Sequence, residues 1–183
     1  LDFVTLNAHK IHGPKGIGAL YIREGIKIDP LIKGGGQEFW IRSGTENVAG
    51  IVGFAEAVKI TKQNDVKKMT LLRDKMINEI SKIKGAKLNG PSGEHRLCNN
   101  INFSFKEIEG EVLGLYLNSR GIFVSTGSAC SSHTKKPSNV LMSIGRSKTE
   151  AESSLRISLS KYTTEKEINY AFREIKNTIE NMK

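Results

Sequence analysis

Gly121-Ile122-Phe123-Val124-Ser125-Thr126-Gly127-Ser128-Ala129-Cys130-Ser131-Ser132 opens as an apolar run and then breaks into small, hydroxyl-bearing residues around a thiol. The run Gly121 to Ser125 reads as a short strand. The residues beyond it read as a polar loop through His133-Thr134-Lys135-Lys136 to Pro137. Cysteine is usually one of the most buried residue types. A cysteine among Gly and Ser in a loop is unusual, and loops on rigid scaffolds often carry chemistry. A free thiol has a pKa of about 8.5, so a few per cent is thiolate near neutrality, and that fraction is strongly nucleophilic. The residues alone leave two readings of Cys130 open: a nucleophile, or a surface thiol without a role.

Outward from this loop, the C-terminal side reads as helices over 139–144 and 148–153, a strand over Leu155 to Leu159, and a helix over Glu165 to Met182. Thr163 or Thr164 can cap that last helix, with Glu165 and Glu167 in its first turn. On the N-terminal side, Glu109 to Ser119 reads as a helix ending at Arg120-Gly121, preceded by strands at Ala86 to Leu88 and Asn100 to Phe105. Val66, Met69, Leu72, Met76, Ile80 and Ile83 recur at helical spacing, as do Val48, Ile51, Val52, Ala55 and Val58. Phe3 to Leu6 reads as a largely buried strand and Ile17 to Ile22 as a second one. The stretch from Pro30 to Gly44 is Gly-rich and irregular. The break at Gln63-Asn64-Asp65 suggests two domains, 1–63 and 64–183.

The chain has 183 residues, 38% of them hydrophobic and 26% charged, which describes an ordinary globular protein. It contains no run of about 18 apolar residues, so no membrane span is expected. Its first residues do not form a basic segment followed by an apolar one, so no signal peptide is read there. They also start a strand without lead-in, so the chain reads as the latter part of something longer. Two cysteines without secretion signals fit a reduced, cytoplasmic setting. A net charge of +9 would suit a nucleic-acid binder. The lysines are scattered over helix polar positions without interleaved aromatics, so a solvated face is preferred. His9, His12, His95 and His133 show no metal-ligand spacing, and Cys98 reads as a packing residue.

Ser125 to Ser132, with Pro137-Ser138-Asn139-Val140-Leu141 after it, resembles the active-cysteine loop of the cysteine desulfurases, in the longer form of their NifS/IscS branch. The resemblance recurs in the family's order at Ala8-His9-Lys10, Gly13-Pro14-Lys15-Gly16, Gly34-Gly35-Gly36-Gln37-Glu38, Arg42-Ser43-Gly44-Thr45-Glu46-Asn47, Leu155-Arg156-Ile157-Ser158 and Thr163-Thr164-Glu165. It implies an α/β fold: the C-terminal part of a pyridoxal-phosphate-dependent aminotransferase (fold type I) large domain over 1–63, then a small α+β domain carrying the cysteine loop over 64–183. It implies a pyridoxal 5'-phosphate enzyme that takes sulfur from L-cysteine as a persulfide and releases L-alanine.

The same resemblance implies roles for single residues. Lys10 matches the lysine that holds the cofactor, and a lysine reacts with an aldehyde only as the neutral amine. His9 matches a histidine at the cofactor phosphate. Asn7 stands where the family usually has Ser, and an amide can donate to phosphate as well. Thr45 matches a threonine that reaches the phosphate of the neighbouring subunit, which implies a homodimer. By spacing alone the Arg42 to Thr45 stretch reads first as an ordinary N-cap and only second as an anion site. Arg156 matches a clamp on the substrate carboxylate, a task to which guanidinium is suited. Without the resemblance a structural ion pair and a binding role stay equally open for it. Cys130 matches the sulfur-accepting nucleophile.

The implied sulfur acceptor is a protein such as an iron–sulfur scaffold, and selenium could use the same residues. The family's ring-stacking residue and the Asp that pairs with the pyridine nitrogen precede Lys10, so a missing N-terminal half is expected as a partner. Glu38-Phe39-Trp40 departs from the family's Glu-Arg-Gly, and Ser160 stands in place of Gly. Two other functions stay open: a truncated persulfide-binding or interaction module without enzymatic activity, and a basic nucleic-acid-binding domain.

Overall fold

The computed structural model describes residues 1–126 and 137–182, so expectations for Cys130 and His133 lie outside the described residues. The chain divides into two compact units, Leu1–Lys62 and Gln63–Lys183.

The first unit is built on an antiparallel ribbon. Strand β1 (Phe3–Asn7) pairs with β2 (Gly18–Ile22), Phe3 opposite Ile22 and Asn7 opposite Gly18. A 3₁₀ turn over Ala8–Ile11 leaves β1, and His12 comes next in the left-handed region at φ 66°. The Gly13 N–H then donates back to the Ala8 carbonyl at 2.8 Å. After β2 the chain is irregular up to helix α1 (Val48–Lys59), apart from a 3₁₀ turn at Gln37–Trp40 in which Glu38, Phe39 and Trp40 all have positive φ.

Contact between α1 and the turn is made by small residues. A Cβ on Gly13 would sit 3.0 Å from the Ala57 Cβ, and one on Gly53 would sit 2.6 Å from Pro14 Cγ. This close approach needs glycine on both elements. β1 differs from its expected burial, for Phe3 and Leu6 are 46% and 50% exposed. A ribbon of two strands has no second layer to cover both of its apolar faces. The valine face of α1 is likewise open, with Val48, Val52 and Val58 exposed.

The second unit has its own core. Helix α2 (Gln63–Ile80) and α6 (Glu165–Asn181) pack with α3 (Gly110–Asn118) against a three-stranded antiparallel sheet in the order β3 (Ala86–Leu88), β4 (Asn100–Phe105), β5 (Ser154–Ser158). Alternation sorts the β4 side chains: Ile101, Phe103 and Phe105 are buried in the core, with Asn100, Asn102 and Ser104 on the opposite face. Leu72, Met76 and Ile80 of α2 and Ile168, Ile175 and Ile179 of α6 complete the core. The short helices α4 (Asn139–Ser143) and α5 (Lys148–Glu152) lie between the cysteine segment and β5 in sequence.

Two expectations needed correction here. α2 begins at Gln63 rather than after Asp65, since an acidic residue suits a first helical turn. Gly121 to Ser125 is not a strand, because only Ser125 makes a bridge, to Arg156. Gly121 has φ 75° and follows α3, and the residues after it form no regular element until the bridge at Ser125.

Three carboxylates of this unit, Glu150 half-buried and Glu165 and Glu167 exposed, are held below their ordinary range. Glu150 falls to about 2, chiefly through the Lys87 ammonium, which donates to it at 2.6 Å, and then through the Ser147 N–H at 2.8 Å. Glu165 is lowered by its bond from Lys75, and Glu167 by its bonds from Thr164 in the α6 capping box. A depressed carboxylate stabilises the fold above its unfolded pKa of about 4.3 and loses that contribution as pH falls through the folded value. The unfolding temperature is therefore expected to decline from about pH 4.3 toward pH 2. Glu150→Gln, studied by circular dichroism melts, is expected to make that decline shallower.

Candidate cofactor and sulfur-transfer site

β1 delivers Asn7, His9 and Lys10 to one end of the ribbon. Asn7 is the last residue of the strand, and Ala8, fully buried, anchors the turn after it. The Ala8 N–H donates to the Ile17 carbonyl at 3.2 Å, so both strands hold the turn. His9 and Lys10 leave it on the exposed side. Gly18, opposite Asn7, lies so near that a Cβ there would stand 2.7 Å from the Leu6 carbonyl oxygen and 3.2 Å from Asn7 Oδ1. Among the described residues, the side chains of Asn7, His9 and Lys10 have no hydrogen-bond partner.

Thr45 lies in the loop before α1. Ser43 fixes that loop, its hydroxyl donating to the Gly35 carbonyl at 2.8 Å and its N–H to the Ile32 carbonyl at 3.2 Å. Gly44, at φ 111°, donates from its N–H to Gln37 Oε1. The helix is capped by Asn47, whose Oδ1 accepts from the Gly50 N–H at 3.1 Å. Thr45 is therefore not the N-cap, and its hydroxyl has no partner among the described residues. Sequence reasoning missed Asn47 as the cap. The signal was there, since Asn is as good a cap as Ser or Thr.

In the second unit, Arg156 sits in the middle of β5 and is half-buried. Its backbone N–H and carbonyl both turn toward Ser125 and away from β4. β4 supplies Asn102 opposite it, and Ser125 makes two reciprocal bonds, Arg156 N–H to the Ser125 carbonyl at 2.7 Å and Ser125 N–H to the Arg156 carbonyl at 3.0 Å. The root of the cysteine segment is thus fastened to the strand that carries Arg156. On its far side the segment returns at Ser138, whose hydroxyl accepts from the Leu141 N–H at 3.4 Å and caps α4. The guanidinium of Arg156 has no ion-pair or hydrogen-bond partner among the described residues, so the structural ion pair does not occur there. No group of three His, Cys, Asp or Glu residues among the described residues could hold a metal.

These donors fit a phosphorylated aldehyde in their chemistry. Lys10 offers a primary amine for the carbonyl carbon, while His9, Asn7 and Thr45 offer donors to phosphate oxygens. All four are unengaged within the described residues.

The second unit's helices on an antiparallel sheet, together with the ribbon and helix of the first, make a mixed α/β chain. The class-V aminotransferase family model matches residues 1–171, and the chain belongs to that family, whose members depend on pyridoxal phosphate. Among its relatives, a protein of Dictyoglomus turgidum named cysteine desulfurase IscS is 46% identical over 187 residues, taking in 100% of this chain and 47% of that protein. A protein of Clostridium botulinum with the same name is 48% identical, covering 98% of this chain and 46% of its own length. A solved NifS-like protein superposes with a TM-score of 0.85 at 40% identity, over 99% of this chain and 47% of the other. The NifS-like protein from Rickettsia africae gives 0.84 at 32% identity, over 99% and 48%. The expected aminotransferase fold is thereby shown. The chain spans about half the length of the relatives it matches.

Proposed function

We propose that this chain supplies the cofactor lysine, the carboxylate clamp and the sulfur nucleophile of an L-cysteine desulfurase. The observation that carries the reading is the tie between Ser125 and Arg156. It roots the segment bearing Cys130 at the strand of a guanidinium that is unpaired among the described residues, in a chain similar along its whole length to cysteine desulfurases. Residues 1–63 then correspond to the end of the cofactor-binding domain and 64–183 to the small domain.

In this reading Lys10 holds pyridoxal phosphate, with His9 and Asn7 at its phosphate, and Thr45 serves the phosphate of a partner subunit in a homodimer. When bound, the cofactor withdraws electrons from the substrate Cα. Arg156 binds the substrate carboxylate through two parallel N–H donors. The Cys130 thiolate attacks the substrate sulfur. A sulfur–sulfur bond forms, the substrate carbon–sulfur bond breaks, and its electron pair stays on the amino acid. Lys10, as a free amine able to carry a proton, returns one to the carbon so that L-alanine leaves. The persulfide on Cys130 then passes to an acceptor protein, such as one that assembles iron–sulfur clusters. A reducing cytoplasm suits a thiol that must stay free between turnovers.

The test is to combine the purified chain with the N-terminal half that its relatives carry, add pyridoxal phosphate and L-cysteine, then measure alanine and map the thiols by mass spectrometry. The expected result is alanine together with one added sulfur atom on the Cys130 peptide, and neither in Cys130→Ser. Sulfur absent from Cys130 in the unaltered chain would overturn the reading.

A further inference from the structure

Asn102 stands directly opposite Arg156 across the β4–β5 pair. Facing residues in an antiparallel pair project to the same side with Cβ atoms about 4.5–5.5 Å apart. The neighbours Ile101, Phe103, Leu155 and Ile157 project into the core, so Asn102 and Arg156 share the polar face of the sheet.

A buried chain of hydrogen bonds decides which way the Asn102 amide points. The Ser104 hydroxyl donates to the Glu150 carbonyl at 2.6 Å, so toward Asn89 it acts as an acceptor. Asn89 therefore presents its Nδ2 to Ser104, at 2.8 Å. The same Nδ2 reaches Asn102 at 2.8 Å, which makes the Asn102 atom it meets the acceptor Oδ1. Asn89 itself is only 3% exposed, its N–H donates to the Asn102 carbonyl at 2.9 Å, and its carbonyl accepts from Arg96. With Oδ1 occupied, Asn102 is left with its Nδ2 donors, which make no hydrogen bond among the described residues, not even to the buried and unpartnered Oδ1 of Asn89. Beside them lies the equally unpaired guanidinium of Arg156. Two adjacent donors, one of them a half-buried cation, call for an anion with more than one acceptor atom.

We propose that Asn102 Nδ2 donates to the same substrate carboxylate that Arg156 holds, with Asn89 as the residue that positions it. The inference rests on the reading of Arg156 as the carboxylate clamp. It assigns Asn102 to substrate binding, and it makes the site selective for amino acids over simple amines.

The test is a titration of the isotope-labelled chain with L-cysteine and with cysteamine, which keeps thiol and amine but lacks the carboxylate. It is read from the side-chain proton–nitrogen resonances of Arg156 and Asn102. L-cysteine is expected to shift both resonances and cysteamine neither. Asn102→Ala is expected to weaken L-cysteine about 10- to 150-fold, the range for a hydrogen bond to a charged group. Asn102→Asp keeps the size and the oxygen that Asn89 needs but replaces the donor with a negative charge. It is expected to fold as the unaltered chain does and to lose the carboxylate-dependent shift. If Arg156→Ala removes L-cysteine binding while both Asn102 variants bind normally, the inference is overturned and the clamp stands. If L-cysteine binds no better than cysteamine, or if Arg156→Ala binds it normally, the clamp reading falls and this inference with it.

Discussion

Lys10→Ala is expected to abolish covalent capture of pyridoxal phosphate and to lower alanine formation from L-cysteine by at least about 10³-fold, as removal of a residue that bonds covalently in a reaction does. The structural ground is the separation of anchoring from chemistry within four residues. Ala8 is buried and ties the turn to β2 through the Ile17 carbonyl, while Lys10 is exposed and bonded to nothing described. The lysine side chain contributes nothing visible to the packing of the turn, so its truncation should leave the ribbon intact. Borohydride reduction after incubation with the cofactor, and then peptide mapping, gives the answer directly. One adduct per chain at Lys10, absent from the variant, supports the assignment. Adducts spread over other lysines in both proteins would refute it, since many exposed amines react slowly with an aldehyde and only a held one reacts stoichiometrically.

Local pattern made part of the fold legible in the sequence. α6 could be placed from its 3.6-residue stripe and the Thr164-x-x-Glu167 box, and both halves of that box form. β4 could be placed from alternation, to the residue. The features that escaped depend on neighbours remote in sequence. Phe3 and Leu6 look like core residues, yet their burial depends on how many layers lie around them. Val124 and Phe123 have strand composition, yet a strand exists only where a partner lies alongside, and one is met only at Ser125. Thr45 and Asn47 are both good caps, and the loop bonds of Ser43 and Gly44 fix which one reaches the helix end. At the candidate site, the residue types at Lys10, Arg156 and Cys130 acquire meaning only through family resemblance. Asn102 gave no signal, because its role is set by a pairing register and by Asn89 across a turn.

Arg73→Ala is expected to destabilise the second unit by about 3–5 kcal/mol, the cost of leaving a buried polar cluster without its charged partner. Arg73 comes after Leu72 on α2 and is only 2% exposed, although nothing in the helical stripe singles it out. Its Nη1 donates to the carbonyls of Arg96 at 2.7 Å and Leu97 at 3.1 Å, and its Nη2 to that of Gly93 at 3.2 Å. Asp74, at 2.8 Å, supplies the counter-charge. Arg73 thus holds the turn whose own arginine, Arg96, is buried and bonds the carbonyls of Asn89 and Pro91 and the Asn100 side chain. Burial first, and the nearby Arg73 charge second, lower the Arg96 pKa.

Loss of Arg73 relieves that repulsion but leaves the Arg96 carbonyl without its buried donor, a group that costs about 1–3 kcal/mol when it cannot reach water. It also reduces the Gly93 and Leu97 carbonyls to their backbone donors, the N–H groups of Arg96 and Asn100, and empties the space of a side chain that is 2% exposed. The loss is therefore expected to win over the relief, and the melting temperature should fall on the order of 10–20 °C. Arg73→Lys should recover little of this, since one ammonium cannot span three carbonyls and a carboxylate in the planar geometry of guanidinium. A melting temperature within a few degrees of the unaltered chain in Arg73→Ala would mean that water replaces the guanidinium at the turn. Asn89 would then stay in place through Arg96 and through its own bonds to Asn102 and Ser104.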